Sequence, residues 1–405
     1  MKRSRILYLC LFISALIFTY FNGGKMPYML LYTVLIIPVI SLTYTLVIYL
    51  RFKYGQELDK KFVTKGDKVN FIFSINNEDF FIYPYVKIAF YGAKTIFENQ
   101  LQVKSFSLNP FSGKNYFFEL QCNYRGSYEI GINSVELEDF FGLFKLRYNV
   151  FEPKHVTVYP RIVYLDKFLL KTDFMSESHS ILNTRDEDMT TISDVRKYQY
   201  GDNLKRIHWK LTAKTQEIMV KKFESTSQTN TIMLLDLHSN SLSYGENIVL
   251  EDKLIESVVA VLYYCLYKWI PVNLVYYSGN LMNIQARNHL MFNDIFELLA
   301  KIKFNESVPV KDLLEIYTTN VLKRTNIILF TSNLDYELYN QIYKASNVGY
   351  DVSLIYTSPE KLTGVKNPEV ENILCSLPEI GVNSYRINID DDIKEILEYR
   401  GGGTQ

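Results

Sequence analysis

The chain carries no net formal charge, and among its 405 residues there are only four cysteines, five histidines and two tryptophans. Zero net charge removes any global electrostatic case for nucleic-acid binding, so such binding would have to rest on a local patch. Cys10, Cys122, Cys265 and Cys375 are scattered without paired or ligand-like spacing. That excludes a zinc site and a disulfide framework, and it favours a reducing compartment. The histidines at 155, 179, 208, 238 and 289 form no His-x-x-x-His pair. Gly-x-x-x-x-Gly-Lys-Ser/Thr, Gly-x-Gly-x-x-Gly and Gly-x-Ser-x-Gly are all absent, so the chain shows neither a nucleotide cradle nor a nucleophile elbow.

What is present is a globular composition, 48% apolar and 22% charged, on a chain too long for one core. Residues 1–51 read as a two-helix transmembrane hairpin, with uncharged apolar spans at about 6–21 and 26–50 separated by Asn22-Gly23-Gly24-Lys25. Pro38 should kink the second span. A cleaved signal peptide would also explain the first run, but no small-residue cleavage pattern follows it and a second span comes at once. Lys2, Arg3 and Arg5 precede the hairpin and Arg51 and Lys53 follow it, whereas the loop holds only Lys25. The positive-inside rule therefore puts both termini and the soluble mass in the cytoplasm.

From 52 to 165 the apolar period is two, as in Val69, Phe71, Phe73, Ile75 and in Tyr116, Phe118, Leu120, Cys122. Short alternating segments broken by Gly, Asn and Pro predict an antiparallel β-sandwich. Within it, Arg125-Gly126-Ser127-Tyr128 and Asp139-Phe140-Phe141-Gly142-Leu143-Phe144 read as a turn and aromatic core contacts. Residues 166–228 form a linker, polar over Lys167–Asp194, followed by a dense motif. Residues 229–400 alternate strand and helix, which implies a doubly wound α/β domain. Residues 401–405 read as a flexible tail.

Function in such sheets gathers at the carboxyl ends of the strands. The first strand ends in Asp236-Leu237-His238-Ser239-Asn240, a later one in Thr331-Ser332-Asn333. Von Willebrand factor A domains hold a divalent cation at this place through Asp-x-Ser-x-Ser with a distant Thr and Asp. Here Asp236 matches, but His238 and Asn240 replace the two serines, and Ser332 and Asn333 supply no second carboxylate. A hard cation wants several oxygen ligands, so this degenerate site is expected to hold no metal, and Asp236 to bind a neighbouring loop. No cofactor is expected.

The densest chemistry lies in Arg196-Lys-Tyr-Gln-Tyr-Gly-Asp-Asn-Leu-Lys-Arg-Ile-His-Trp-Lys210. Tyr200-Gly201-Asp202-Asn203 is a turn signal, and Asp202 is placed to cap a helix beginning near Leu204. Eight basic and two acidic residues fall between Arg196 and Lys222. Three readings compete. In an interaction and structural motif, Asp202 orders Arg206 or Arg196 and Trp209 seals a contact. On an anion or nucleic-acid surface, Arg206 and Lys210 meet phosphates while Trp209 or Tyr198 stacks. In a hydrolase or nucleotide-binding enzyme, Asp202, His208 and Lys210 would act together with His208 as base. No complete catalytic constellation is visible, so the interaction reading leads and no catalytic residue is assigned.

The run Arg196-x-Tyr198-x-x-Gly201-Asp202-x-x-x-Arg206-Ile207-His208-Trp209-Lys210-x-Thr212-Ala213-Lys214, followed by Val220-x-x-Phe223-Glu224, resembles bacterial proteins of domain-of-unknown-function family 58. The Arg125-Gly126-x-Tyr128, Asp139–Phe144 and Tyr159-Pro160-Arg161 motifs are similar too, although the family usually has Arg where this chain has Lys214. The resemblance implies a multi-pass anchor in the bacterial cell membrane and a von Willebrand factor A-like C-terminal domain. It also implies partnership with a MoxR-type AAA+ ATPase beside transglutaminase-like membrane proteins. The implied role is adaptor-like or chaperone-like, in assembly or maturation of other proteins. It brings no established catalytic residues.

Overall fold

A computed structural model describes residues 2–91, 101, 104–170, 187–198, 207–209, 211–212, 217–225, 231–320 and 325–399. The chain divides into two compact units, Met1–Arg161 with Glu297–Ile302, and Ile162–Phe296 with Lys303–Gln405.

The first unit opens with two apolar helices, α1 (Lys2–Asn22) and α2 (Lys25–Arg51). They turn at Gly23 and Gly24, both at positive φ, where a side chain would be strained. α2 runs uninterrupted through Pro38. Both helices are long and apolar enough to cross a membrane. The last part of α2 buries Ser41, Thr45 and Ile48, a stripe at helical spacing, and Ile48 joins the core of the β-structure that follows.

That β-structure comprises β1 (Lys53–Leu58), β2 (Phe62–Thr64), β3 (Lys68–Asn77), β4 (Tyr83–Tyr91), β5 (Lys104–Leu108), β6 (Ser112–Gln121), β7 (Gly126–Glu138), β8 (Lys145–Asn149) and β9 (Lys154–Tyr159). One sheet has the order β1-β3-β6; the other runs β2-β9-β7-β4-β5 with β8 also on β7. All pairings are antiparallel except β2 on β9. Strand alternation sends Val69, Phe71, Phe73 and Ile75 of β3 into the same buried cluster as Val86, Ile88 and Phe90 of β4, so the two sheets share one core.

In the second unit, β10 (Glu187–Lys197) pairs antiparallel with β11 (Met219–Ser225). The polar stretch read as linker thus ends in a strand, and the dense motif connects it to its partner. The remaining strands are β12 (Thr231–Leu235), β13 (Val272–Ser278), β14 (Asn280–Ala286), β15 (Asn326–Thr331), β16 (Asp351–Thr357) and β17 (Asn383–Ile387). They form one sheet ordered β14-β13-β12-β15-β16-β17, parallel throughout except for the antiparallel edge strand β14. β12, β15 and β16 are buried at every position, as a sheet covered on both faces requires.

The longer helices after β11 are α3 (Tyr244–Tyr267), α4 (Phe292–Lys301, which runs from the second unit into the first at Glu297), α5 (Val310–Asn320), α6 (Tyr336–Val348), α7 (Pro368–Ser376) and α8 (Ile393–Tyr399). Ile232, Leu234, Ile327, Leu329, Val352 and Leu354 share a core with α5, α6 and α7. Alternation turns Met233, Ile328 and Ile355 to the opposite face, and α3 packs on β13, β15 and β16. α6 shows how local sequence sets an element. The Asp335 carboxylate accepts from the Leu338 N–H at 2.7 Å at its start, and Gly349 at φ 99° ends it.

Candidate functional site

Two places carry the chemistry singled out by sequence, and both lie in the second unit. The first is the motif between β10 and β11. Its anchors are mostly backbone. Tyr198 N–H donates to Ile218 O and His208 N–H to Met219 O, both at 2.8 Å, and Ile207 bridges Val220. β11 therefore holds β10 along one edge and the Ile207–His208 segment along the other. Thr212 Oγ1 closes the loop by accepting from Met219 N–H at 3.0 Å.

His208 starts a helical turn that carries Trp209, Leu211 and Thr212. Its carbonyl accepts from the Leu211 and Thr212 N–H groups, and its ring Nδ1 accepts from Leu211 N–H at 3.2 Å. The imidazole thus caps the turn. The lone pair it would use as a base at Nδ1 is committed to the backbone. The Trp209 side chain is 70% exposed, while the backbone of Tyr198 and His208 and the Thr212 hydroxyl fasten the segment. Lys197, on the same hairpin, pairs with Glu217 at 2.5 Å between well-exposed side chains. Arg196 is placed in β10 by its backbone opposite Val220. Gly201, Asp202, Arg206 and Lys210 lie outside the described residues, as do the predicted helix start near Leu204 and the 401–405 tail.

The second place is the end of β12. The chain passes from β12 to β13 on one side and later returns to β15 on the other, so the carboxyl ends of β12 and β15 meet at the topological switch point. Asp236 sits there, only 3% exposed. Oδ1 accepts from the His238 N–H at 3.0 Å and Oδ2 from the Thr331 hydroxyl at 2.6 Å. Thr331 Oγ1 in turn accepts from the Asn333 N–H at 2.9 Å. Burial pushes the Asp236 carboxyl above the usual carboxylate range, against the opposing pull of the Thr331 and His238 donors.

Around this pair, Asn240 Nδ2 donates to Ser332 Oγ at 2.9 Å, and Asn247 Nδ2 donates to the Asn240 and Leu242 carbonyls. Asn240 and Ser332 stand where a cation site would offer oxygens, and here they bind each other. Among the described residues no cluster of three or more His, Cys, Asp or Glu side chains is placed to hold a metal ion. Sequence reasoning missed Asn247, whose only signal was its position one turn into a helix beginning after Ser243.

The sequence motifs of the first unit also find physical roles. The Tyr128 hydroxyl donates to the Arg125 carbonyl at 2.7 Å and the Tyr124 carbonyl at 3.2 Å. Gly126 lies at φ 145°, and a Cβ there would meet the Tyr128 ring at 3.0 Å, which accounts for the glycine. Arg125 is buried and donates to the carbonyls of Leu299, Ala300 and Ile302 in the same unit. In the other motif, Asp139 accepts from the Phe141 and Phe144 N–H groups, but Phe140 and Phe141 are not core residues as expected; they are 59% and 56% exposed.

Comparison with known proteins adds one family. No curated protein matches the chain. Solved structures align only loosely. A CARDB domain from Pyrococcus furiosus, crystallised with di-metal ions, is 17% identical over 26% of this chain and 93% of its own, with a TM-score of 0.19. The sporulation control protein Spo0M of Bacillus subtilis is 12% identical over 26% of this chain and 49% of its own, at 0.16. An exo beta-N-acetylglucosaminidase from Vibrio harveyi is 10% identical over 82% of this chain and 81% of its own, at 0.19. Scores this low assign no fold. Residues 194–269, from the end of β10 through α3, match the model of the family described as protein of unknown function DUF58.

Proposed function

We propose that the chain is a membrane-anchored adaptor or chaperone-like protein that presents its motif to a MoxR-type AAA+ ATPase in the assembly or maturation of other proteins. The observation that carries this reading is Trp209, 70% exposed on a segment that the Tyr198, His208 and Thr212 hydrogen bonds fasten to the Ile218–Met219 backbone. An exposed tryptophan on a fixed backbone is the kind of residue that dominates protein–protein contacts. The commitment of His208 Nδ1 to a backbone N–H favours this over use of His208 as a general base.

On this reading α1 and α2 form the anchor, crossing a bacterial cell membrane with both termini and the soluble units on the cytoplasmic side. The two-sheet structure is an antiparallel sandwich that acts as a spacer. The six-stranded unit is von Willebrand factor A-like, with its cation site closed by the Asp236–Thr331 and Asn240–Ser332 pairs. The test is a pull-down from detergent-solubilised cells, comparing wild type with Trp209→Ala. Wild type should recover an AAA+ ATPase and the variant should lose it while keeping its fold. Recovery of no ATPase by wild type, or equal recovery by both, would sink the proposal.

A further inference from the structure

Five phenylalanines gather at one end of the β-structure, all on loops. Phe80 and Phe81 lie between β3 and β4, Phe111 between β5 and β6, and Phe140 and Phe141 between β7 and β8. Phe80 is 82% exposed, Phe111 62%, Phe140 59% and Phe141 56%. Water is a poor home for so much aromatic surface, and the backbone holds it out deliberately. Phe111 sits at φ 52°, a left-handed conformation rare for such a residue, and its ring meets Phe80 edge-on at 4.7 Å.

These loops are fixed against the two apolar helices within the same unit. Asp139 accepts a hydrogen bond from the Ser41 hydroxyl of α2. The Leu143 carbonyl accepts from Arg5 Nε of α1 at 2.9 Å, and a Cβ on Gly142 would meet Ser4 Oγ at 3.0 Å. Tyr44 of α2 packs edge-on to Phe81 and beside Phe140, each at 5.6 Å, and donates to the Ile82 carbonyl.

Those contacts set a depth. Arg5 is eighteen positions before Gly23, and Ser41 is seventeen beyond Gly24. At ~1.5 Å per residue both lie roughly 26 Å from the turn of the hairpin. That is close to the ~30 Å thickness of a hydrocarbon core. The β7–β8 loop therefore meets α1 and α2 at the level where a span that starts at the Gly23–Gly24 turn should end. Arg3 and Arg5 mark the same level as a water boundary on α1. Beyond Ser41, α2 turns Thr45 and Ile48 to the β core while Leu42, Leu46 and Leu50 stay exposed, which continues the apolar surface of the span onto the loop end.

We propose that this phenylalanine collar inserts into the headgroup–acyl boundary of the bilayer, so that the β-structure rides on the membrane surface instead of hanging clear of it. Aromatic rings at an interface next to basic side chains are the chemistry of membrane-surface anchoring. The inference rests on the membrane-anchor reading of α1 and α2, and the experiment separates the two.

Full-length protein carrying Trp209→Phe and Trp269→Phe, and so without tryptophan, is reconstituted into vesicles of mixed neutral and anionic phospholipid. One tryptophan is then introduced at a time, by Phe141→Trp, Phe140→Trp, Leu35→Trp or Phe62→Trp. Some lipids are brominated close to the headgroup and others deep in the acyl chain. The Leu35→Trp variant should lose emission most to the deep bromines, which reports the anchor. The Phe140→Trp and Phe141→Trp variants should show blue-shifted emission and lose it most to the shallow bromines. The Phe62→Trp variant, on β2 at the opposite end of the sheet, should lose emission to neither. Quenching of Leu35→Trp with unquenched, unshifted Phe140→Trp and Phe141→Trp overturns the collar and leaves the anchor standing. Absence of quenching in the Leu35→Trp variant overturns both.

Discussion

Replacing Asp236 by Asn should stabilise the second unit at neutral pH, and the gain should depend on pH in one direction. The carboxyl is buried, and its pKa stands above the usual carboxylate range because burial disfavours the charge. In the window between the ordinary carboxylate pKa and this raised value, the native state binds more protons than the unfolded chain. Wild-type stability therefore falls as pH rises through that window and levels off above it. A single group limits the slope to at most about 1.4 kcal/mol per pH unit. Asn keeps the geometry without the charge. Its Oδ1 can accept from the His238 N–H, and its Nδ2 can donate to Thr331 Oγ1, whose proton turns to the Asn333 carbonyl at 2.9 Å. The difference between variant and wild type should thus be near zero in mild acid, grow with pH and then reach a plateau. Amide exchange of Ile232–Leu235 and Ile327–Phe330 in the full-length protein reads this locally. An Asn variant less protected at neutral pH, or a difference that ignores pH, would refute the reasoning. Wild-type protection that rises with added magnesium, absent in the variant, would show that Asp236 serves a cation instead.

Two further outcomes follow from burial and hydrogen bonding. In a Cys10→Ser background, a maleimide should label Cys375 in the native protein and leave Cys122 and Cys265 untouched until denaturation. Both are buried, and burial pushes their thiols up to about 11 and about 12; native-state labelling of either would contradict this, as read by mass spectrometry. Tyr128→Phe should destabilise the first unit by about 1 kcal/mol, because the Tyr124 and Arg125 carbonyls lose their shared donor. An unchanged denaturation midpoint would show that hydrogen bond to be worth nothing.

Elements governed by local pattern were legible in the chain. The two apolar helices show as uninterrupted runs, β3 as strict alternation, and β12 and β15 as short apolar blocks. Asp236 stood out by its place after a buried strand. What escaped was set by partners distant in sequence. β10 is polar and reads as linker, and it becomes a strand only because β11 offers a ladder. β14 is mostly exposed, so its alternation carries no apolar signal. The Asp139 motif looked like core aromatics because phenylalanines usually pack inward. Its contact with Ser41 spans 98 residues, and no local periodicity announces it.

The junction between α2 and β1 has a mechanical consequence. Only Phe52 separates Arg51 from Lys53, and its extended backbone passes the chain straight from helix to strand. Arg51 is tied to Asp79 at 2.5 Å just beyond that point. No loop beyond Phe52 stands at this joint to act as a swivel. A tilt or rotation of the helix is handed on to the first sheet as torque rather than lost in slack. A few glycines inserted after Phe52 would turn a rigid mast into a tether.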